Sequence, residues 1–140
     1  MLIAIGSNLR GLRLKEYLKV HMLQMGYYPI DCGDSSDHAS ISQTVGLMVA
    51  RGEAERGMLV CDTGVGMAVA ANKIPGVQAA LCYDEYSAER AATSGAQILT
   101  LGSQLVGPAT AVRLFDSWLT YQPVDERAVR RVAKLQVVGI

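Results

Sequence analysis

The sequence has no excess of charge of either sign. Thirteen Lys and Arg balance thirteen Asp and Glu among 140 residues, so no global field draws in nucleic acid or an anionic membrane surface. It has no run of about 18 apolar residues, which excludes a membrane-spanning helix. Cysteine is scarce and unpaired: Cys32, Cys61 and Cys82 are an odd number without metal-ligand spacing, so neither a disulfide framework nor a metal centre is expected. The opening MLIAIGSNLRG turns polar after five residues, too soon for a signal peptide, and the expected compartment is the cytoplasm with free thiols. Repeats, low-complexity segments and long linkers are also lacking. One domain over residues 1–140 is the natural reading of this length, with small molecules or other protein chains as its partners. The apolar end KLQVVGI stands where chain ends usually fray, so it is expected to dock on something.

What is present is alternation. LIAI (2–5), YPID, GMLVC, VQAALC and QILTLG read as five strands, the second at a sheet edge or a strand start because of Pro29. Between them lie helix-period segments. The first begins near Leu14 and places Leu14, Leu18, Met22 and Met25 on one face, with Gly26 as a stop. A second spans 40–50, with Ile41, Val45, Leu47 and Met48 apolar; a third begins near Gly66; a fourth covers 87–93. Pro108 suits the first turn of a helix running through Trp118, and Asp125 can cap a last helix over 126–135. Strands apolar on both faces, alternating with helices, predict an α/β, three-layer Rossmann-like fold with a five-stranded parallel sheet flanked by helices. Ligands in such sheets bind outside the carboxyl ends of the strands, which directs attention to 6–11, 32–38, 61–67, 83–86 and 102–107.

The segment VCDTGVGMAVAANK (60–73) carries the most chemistry. Gly64 and Gly66 are present, but Val69 stands where a dinucleotide fingerprint needs its third glycine, and no acidic residue ends a following strand in the expected place. A dinucleotide is therefore not expected. The glycines supply instead a turn of backbone N–H groups suited to a phosphate, carboxylate or enolate oxygen. Cys61 ends the strand in that turn, where amide dipoles favour a thiolate base or nucleophile; a buried small hydrophobe is the plainer reading. Cys32 and Cys82 have no glycine turn behind them and read as packing. His38, after Asp37 in a polar loop, can serve as acid or base near neutral pH or lie idle at the surface. His21 reads as a helix-face residue.

Four blocks together resemble the ribose-5-phosphate isomerase type B and galactose-6-phosphate isomerase family: IAIGSNLRG near the start, GEAERGMLVCDTGVGMAVAANKIPGVQAALCYDEYSAERA in the middle, LGSQLVGP after it and DERAVRRVAKL at the end. The resemblance implies aldose–ketose isomerisation of a sugar phosphate through an enediolate, without metal or cofactor. It also implies a homodimer or homotetramer with sites at the subunit interface and the C-terminal helix there. By position, Cys61 resembles the proton-transferring base, while Thr63, Gly64, Gly66 and the neighbouring Val65 and Met67 amides resemble the hole for the enediolate oxygens. Arg127 and Arg131 resemble the pair that clasps the phosphate, and their spacing of four puts both on one helical face. Asn72 and Lys73 match the family's Asn-Lys pair.

The departures bear on the substrate. Asn8 and Leu9 stand where the family has Asp-His, with Arg10 beside them in a loop expected to contact phosphate. The His-Asn pair expected to open the sugar ring is unmatched in AATSGAQ. His38 takes the place of a Tyr, Ala128 of a His, Gln104 of an Arg, and Asp62 of the Gly after the base. Three explanations compete. The substrate is an open-chain tetrose 4-phosphate, in keeping with AERAATSGAQI, which resembles erythritol-pathway members; or His38 or Asn8 substitutes and the substrate is a pentose or hexose phosphate; or the chain is a non-catalytic or partner-dependent subunit, as in heteromeric galactose-6-phosphate isomerase.

Overall fold

The computed structural model describes residues 1–120 and, beyond them, Glu126, Arg127, Arg130, Arg131, Ala133 and Lys134. Five strands and five helices alternate among the described residues: β1 (Leu2–Ser7), α1 (Leu12–Gln24), β2 (Tyr28–Asp34), α2 (His38–Ala50), β3 (Arg56–Cys61), α3 (Val65–Ala71), β4 (Ala79–Leu81), α4 (Glu85–Thr93), β5 (Ile98–Gly102) and α5 (Pro108–Thr120). A 3-10 turn, Leu9–Gly11, precedes α1. All strand pairs are parallel, in the order β2-β1-β3-β5-β4.

That order dictates the layers. The chain steps one way across the sheet from β1 to β2 and from β4 to β5, and the other way from β2 to β3 and from β3 to β4. Right-handed crossovers must then put α1 and α4 on one face and α2 and α3 on the other. The two cores agree. Leu14, Leu18 and Met22 of α1, Ala88 and Ala91 of α4, and Leu114, Phe115 and Trp118 of α5 pack with Ile3, Ile5, Met58, Val60, Leu99 and Leu101. On the opposite face Ile41, Val45 and Val49 of α2 and Met67 and Ala71 of α3 pack with Ala4, Leu59, Cys61 and Ile98. Successive strand residues feed alternate cores, the period of two expected of a strand covered on both faces.

Several local expectations shift. Met25 is not on the buried face: it caps α1 and is exposed, while Lys15 is buried beside Leu14 and Leu18. The fourth strand contracts to Ala79–Leu81 at the second sheet edge. Helix α2 starts two residues early because the Asp37 carboxylate accepts the Ala39 N–H at 3.0 Å as a cap, making His38 the first helical residue. Asp84 and Ser87 form a reciprocal capping box at the start of α4. Of the anticipated last helix, Glu126, Arg127, Arg130, Arg131, Ala133 and Lys134 are helical; Asp125, Ala128 and the apolar end from Leu135 onward lie outside the described residues.

Lys15 is 1 % exposed and needs a counter-charge there. Asp31 on the edge strand supplies it, Oδ1 accepting from Lys15 Nζ at 2.9 Å while Oδ2 accepts from Lys19 Nζ at 2.7 Å. Desolvation pushes the Asp31 carboxyl up, but the hydrogen bonds from Lys19, Lys15 and the Gly33 amide outweigh it and bring it from 3.8 to about 2. The pair ties α1 to β2. His21 does the same between α1 and α5, with Nε2 2.7 Å from Asp116 Oδ1.

Candidate active site

The chain leaves β1 towards one edge of the sheet and β3 towards the other, so the carboxyl ends of these neighbours flank a topological switch point. Three segments converge there: the turn after β1, the turn after β3, and the start of α2. Asn8 joins them. Its backbone N–H donates to the Val60 carbonyl at 3.1 Å, and its Oδ1 accepts the Gly11 N–H at 2.9 Å, capping the 3-10 turn. Its Nδ2 lies 2.7 Å from Asp62 Oδ1 and 3.1 Å from His38 Nε2. Arg10 Nη1 sits 3.3 Å from Asp62 Oδ2 with its side chain largely exposed, and the Arg10 carbonyl accepts from Ser103 Oγ at 3.2 Å.

Cys61 closes β3 with its side chain on the α2/α3 face, 1 % exposed. Its Sγ accepts the Gly64 N–H at 3.1 Å. Gly64 has φ of +81°, and a Cβ there would stand 2.5 Å from Leu81 Cδ1 and 3.0 Å from the Leu101 carbonyl carbon, so both the turn and the close approach of β5 require glycine. Thr100 Oγ1 donates to the Gly64 carbonyl at 2.9 Å, and Thr63 Oγ1 accepts the Val65 N–H at 3.2 Å. With the Gly64 and Val65 amides so engaged, the Gly66 and Met67 amides are the first-turn donors of α3 that lack an intrahelical acceptor. Val65 is exposed, while Met67 is buried. The His38 imidazole lies against Gly66: a Cβ on Gly66 would be 2.9 Å from His38 Nδ1.

Charge is concentrated on Asp62. The hydrogen bond from Asn8, against some desolvation and helped by the Arg10 guanidinium, holds its carboxyl below the usual carboxylate range. Burial pushes the Cys82 thiol up to about 11 and raises the Cys32 thiol as well, which suits packing roles. Asp62 was visible in the sequence only as a departure from glycine. Its partner Asn8 is 54 residues away, and no local pattern announces that the two meet.

The described contacts thus bring Asn8, Arg10, His38, Cys61, Thr63, Gly64, Val65, Gly66 and Met67 together at the carboxyl ends of β1 and β3. Arg127 and Arg131 are exposed helical residues. Asn72 has a structural part: its side chain donates to the Ala79 carbonyl at 2.9 Å and accepts the Ala79 N–H at 2.8 Å, fastening the end of α3 to β4. A separate cavity of about 590 Å³ lies along the β4 edge between Ile74, Val77, Leu81, Cys82 and Arg90. Among the described residues no group of three or more His, Cys, Asp or Glu is placed to hold a metal ion, and no helix is long and apolar enough to cross a membrane.

Residues 3–135 match the family model described as Ribose/Galactose Isomerase. The chain is 42 % identical over 124 residues to ribose-5-P isomerase B of Listeria innocua, covering 85 % of this chain and 84 % of that protein. It is 35 % identical over 123 residues to D-erythrulose-4-phosphate isomerase of Pectobacterium atrosepticum, covering 84 % and 81 %. The solved structure of ribose-5-phosphate isomerase B from Clostridium thermocellum superposes with a TM-score of 0.95 at 35 % identity, covering 99 % of this chain and 97 % of that one.

Proposed function

Since the chain belongs to the ribose/galactose isomerase family, we propose that it interconverts an aldose phosphate and its ketose phosphate by moving a proton between C2 and C1, without a cofactor. The observation that carries this reading is the junction of Cys61 with the glycine turn: one sulfur, with a backbone donor 3.1 Å away, beside the first-turn amides of α3. A thiolate at Cys61 takes the proton from C2 while the C1 carbonyl electrons move onto oxygen. The resulting enediolate is held by fixed N–H donors, the Gly66 and Met67 amides, in a hole shaped by the Thr63–Val65 turn. The thiol then returns its proton to C1 as the C2 hydroxyl proton passes to the adjacent C1 oxygen and the carbonyl re-forms at C2. Hydrogen-bonded donors that are already in place need no reorganisation as charge develops, which is why a rigid turn serves better than mobile side chains.

His38 and Asn8, above the turn, face the oxygen end of the substrate. Arg10 stands at the rim, and Arg127 and Arg131 supply the phosphate clasp across an interface between two copies of the chain, in a homodimer or homotetramer of the cytoplasm. The substrate is a pentose 5-phosphate or a tetrose 4-phosphate. Relatives that bear names of both kinds support this range, and the loss of the ring-opening His-Asn pair favours the tetrose, whose phosphate occupies the hydroxyl that would close a five-membered ring.

The test is an NMR time course in heavy water with ribose 5-phosphate and erythrose 4-phosphate in parallel, following ketose formation and deuterium uptake beside the carbonyl. Turnover of either, abolished in Cys61→Ala with phosphate-dependent thermal stabilisation retained, is the expected result. Absence of both turnover and exchange with every sugar phosphate offered, at unchanged stabilisation, would make the chain a binding subunit instead.

A further inference from the structure

The hydrogen bonds around Asn8 determine more than its own position. Its Oδ1 is committed to the Gly11 N–H at 2.9 Å, so the amide cannot be turned over without losing that bond, and the NH2 group must face Asp62 and His38. A primary amide has two N–H bonds. Asp62 Oδ1 at 2.7 Å takes one, and His38 Nε2 at 3.1 Å receives the other. A ring nitrogen that accepts cannot carry a proton. The proton of neutral His38 therefore resides on Nδ1, the atom nearest to Gly66, at 2.9 Å from where a Cβ on that residue would lie.

We propose that Asn8, braced by Asp62 and through it by Arg10, is a positioning residue that locks His38 as a neutral Nδ1–H donor directed at the substrate oxygen above Gly66. A neutral imidazole in this tautomer polarises a carbonyl or holds an enediolate oxygen by hydrogen bonding; no proton need leave it. His38 is thereby a donor and not a base, because the nitrogen a base would use is occupied. The arrangement also joins two departures of this chain from the family it resembles. With a carboxylate at position 62, a second carboxylate at position 8 would repel it and would present His38 with an acceptor; asparagine satisfies both neighbours at once. The role in catalysis rests on the isomerase reading, whereas the tautomer does not.

The test reads the tautomer directly. In the uniformly 15N-labelled full chain at pH 8, long-range proton–nitrogen correlation spectra of the two histidines, assigned with His21→Gln, should show His38 protonated on Nδ1. Asn8→Asp should invert it to Nε2–H, since a carboxylate can only accept. Asp62→Asn, whose amide oxygen can still receive the Asn8 N–H, should preserve the Nδ1–H form even if Asn8→Asp folds poorly. With whichever sugar phosphate turns over, Asn8→Asp should lower kcat about 100-fold with KM changed less than about threefold, and His38→Asn, which keeps a donor near the Nδ1 position, should exceed His38→Ala. An Nε2–H tautomer in the unsubstituted protein, or an unaltered tautomer in folded Asn8→Asp, overturns the proposal. The expected tautomers without turnover by the unsubstituted protein would instead sink the isomerase reading and leave the lock standing.

Discussion

Replacing Gly66 by alanine separates stability from function at a single atom. Gly66 is the second residue of α3 and does not have positive φ, so alanine suits its backbone and should gain about 0.5–1 kcal/mol from helix propensity. The added Cβ, however, falls 2.9 Å from His38 Nδ1, 3.7 Å from Cε1 and 3.9 Å from Cγ, where non-bonded contacts settle at about 3.5–4.0 Å. The imidazole must retreat by roughly 0.5–1 Å and stretch its 3.1 Å contact with Asn8, a loss of about 0.5–1.5 kcal/mol. The two effects nearly cancel. With an unfolding entropy of about 0.3 kcal/mol/K for a chain of this length, Tm should stay within about 3 °C of the parent. A misplacement of about 1 Å in a reacting constellation costs on the order of 100-fold in rate. Thermal unfolding by circular dichroism and the NMR isomerase assay read the two quantities independently. Gly66→Ala with unchanged kcat would refute the claim that His38 works from its position over the turn; a fall in Tm of more than about 6 °C would refute the assumption that the imidazole can yield.

Asp31→Asn leaves the Lys15 ammonium, 2 % exposed in its side chain, with only the longer 3.9 Å contact to Glu16 Oε1. It should cost about 3 kcal/mol, or roughly 10 °C in Tm, and Lys15→Met in the same background should recover most of the loss in a thermal melt. Because the Asp31 carboxyl is depressed in the folded state, its contribution of about 1–2 kcal/mol, after discounting for solvent screening, is present above pH 3.8 and lost as pH falls through about 2. Acid titration monitored by circular dichroism should accordingly show Asp31→Asn with a weaker dependence of stability over that window. Gly64→Ala combines a left-handed φ with backbone at 3.0 Å and should destabilise by at least about 2 kcal/mol in urea unfolding, with a loss of activity at every substrate concentration. Paired Arg127→Ala and Arg131→Ala should raise KM tenfold or more with little change in kcat, an effect that increasing salt should mimic in the parent; an unchanged KM would remove both from the phosphate site.

Much was legible without coordinates, because strands apolar on both faces, glycine after a strand-end cysteine, and proline in a first turn are local patterns with local causes. Every strand was found near its expected place, and the cysteine turn formed as anticipated. Errors arose where a longer-range partner decides. Met25 carries the right periodicity, yet α1 ends before it. Lys15 belongs by type at the surface, yet Asp31 of the next strand makes its burial tolerable. Asp37 reads as loop until its cap on Ala39 is seen. The sequence by itself determined which segments are strands and helices and where a cysteine meets a glycine turn, since these follow from side-chain spacing and backbone permissiveness. Only the tertiary structure decided that β1 lies beside β3, and hence that Asn8 touches both Asp62 and His38, because parallel strands recognise one another through backbone groups that every residue shares.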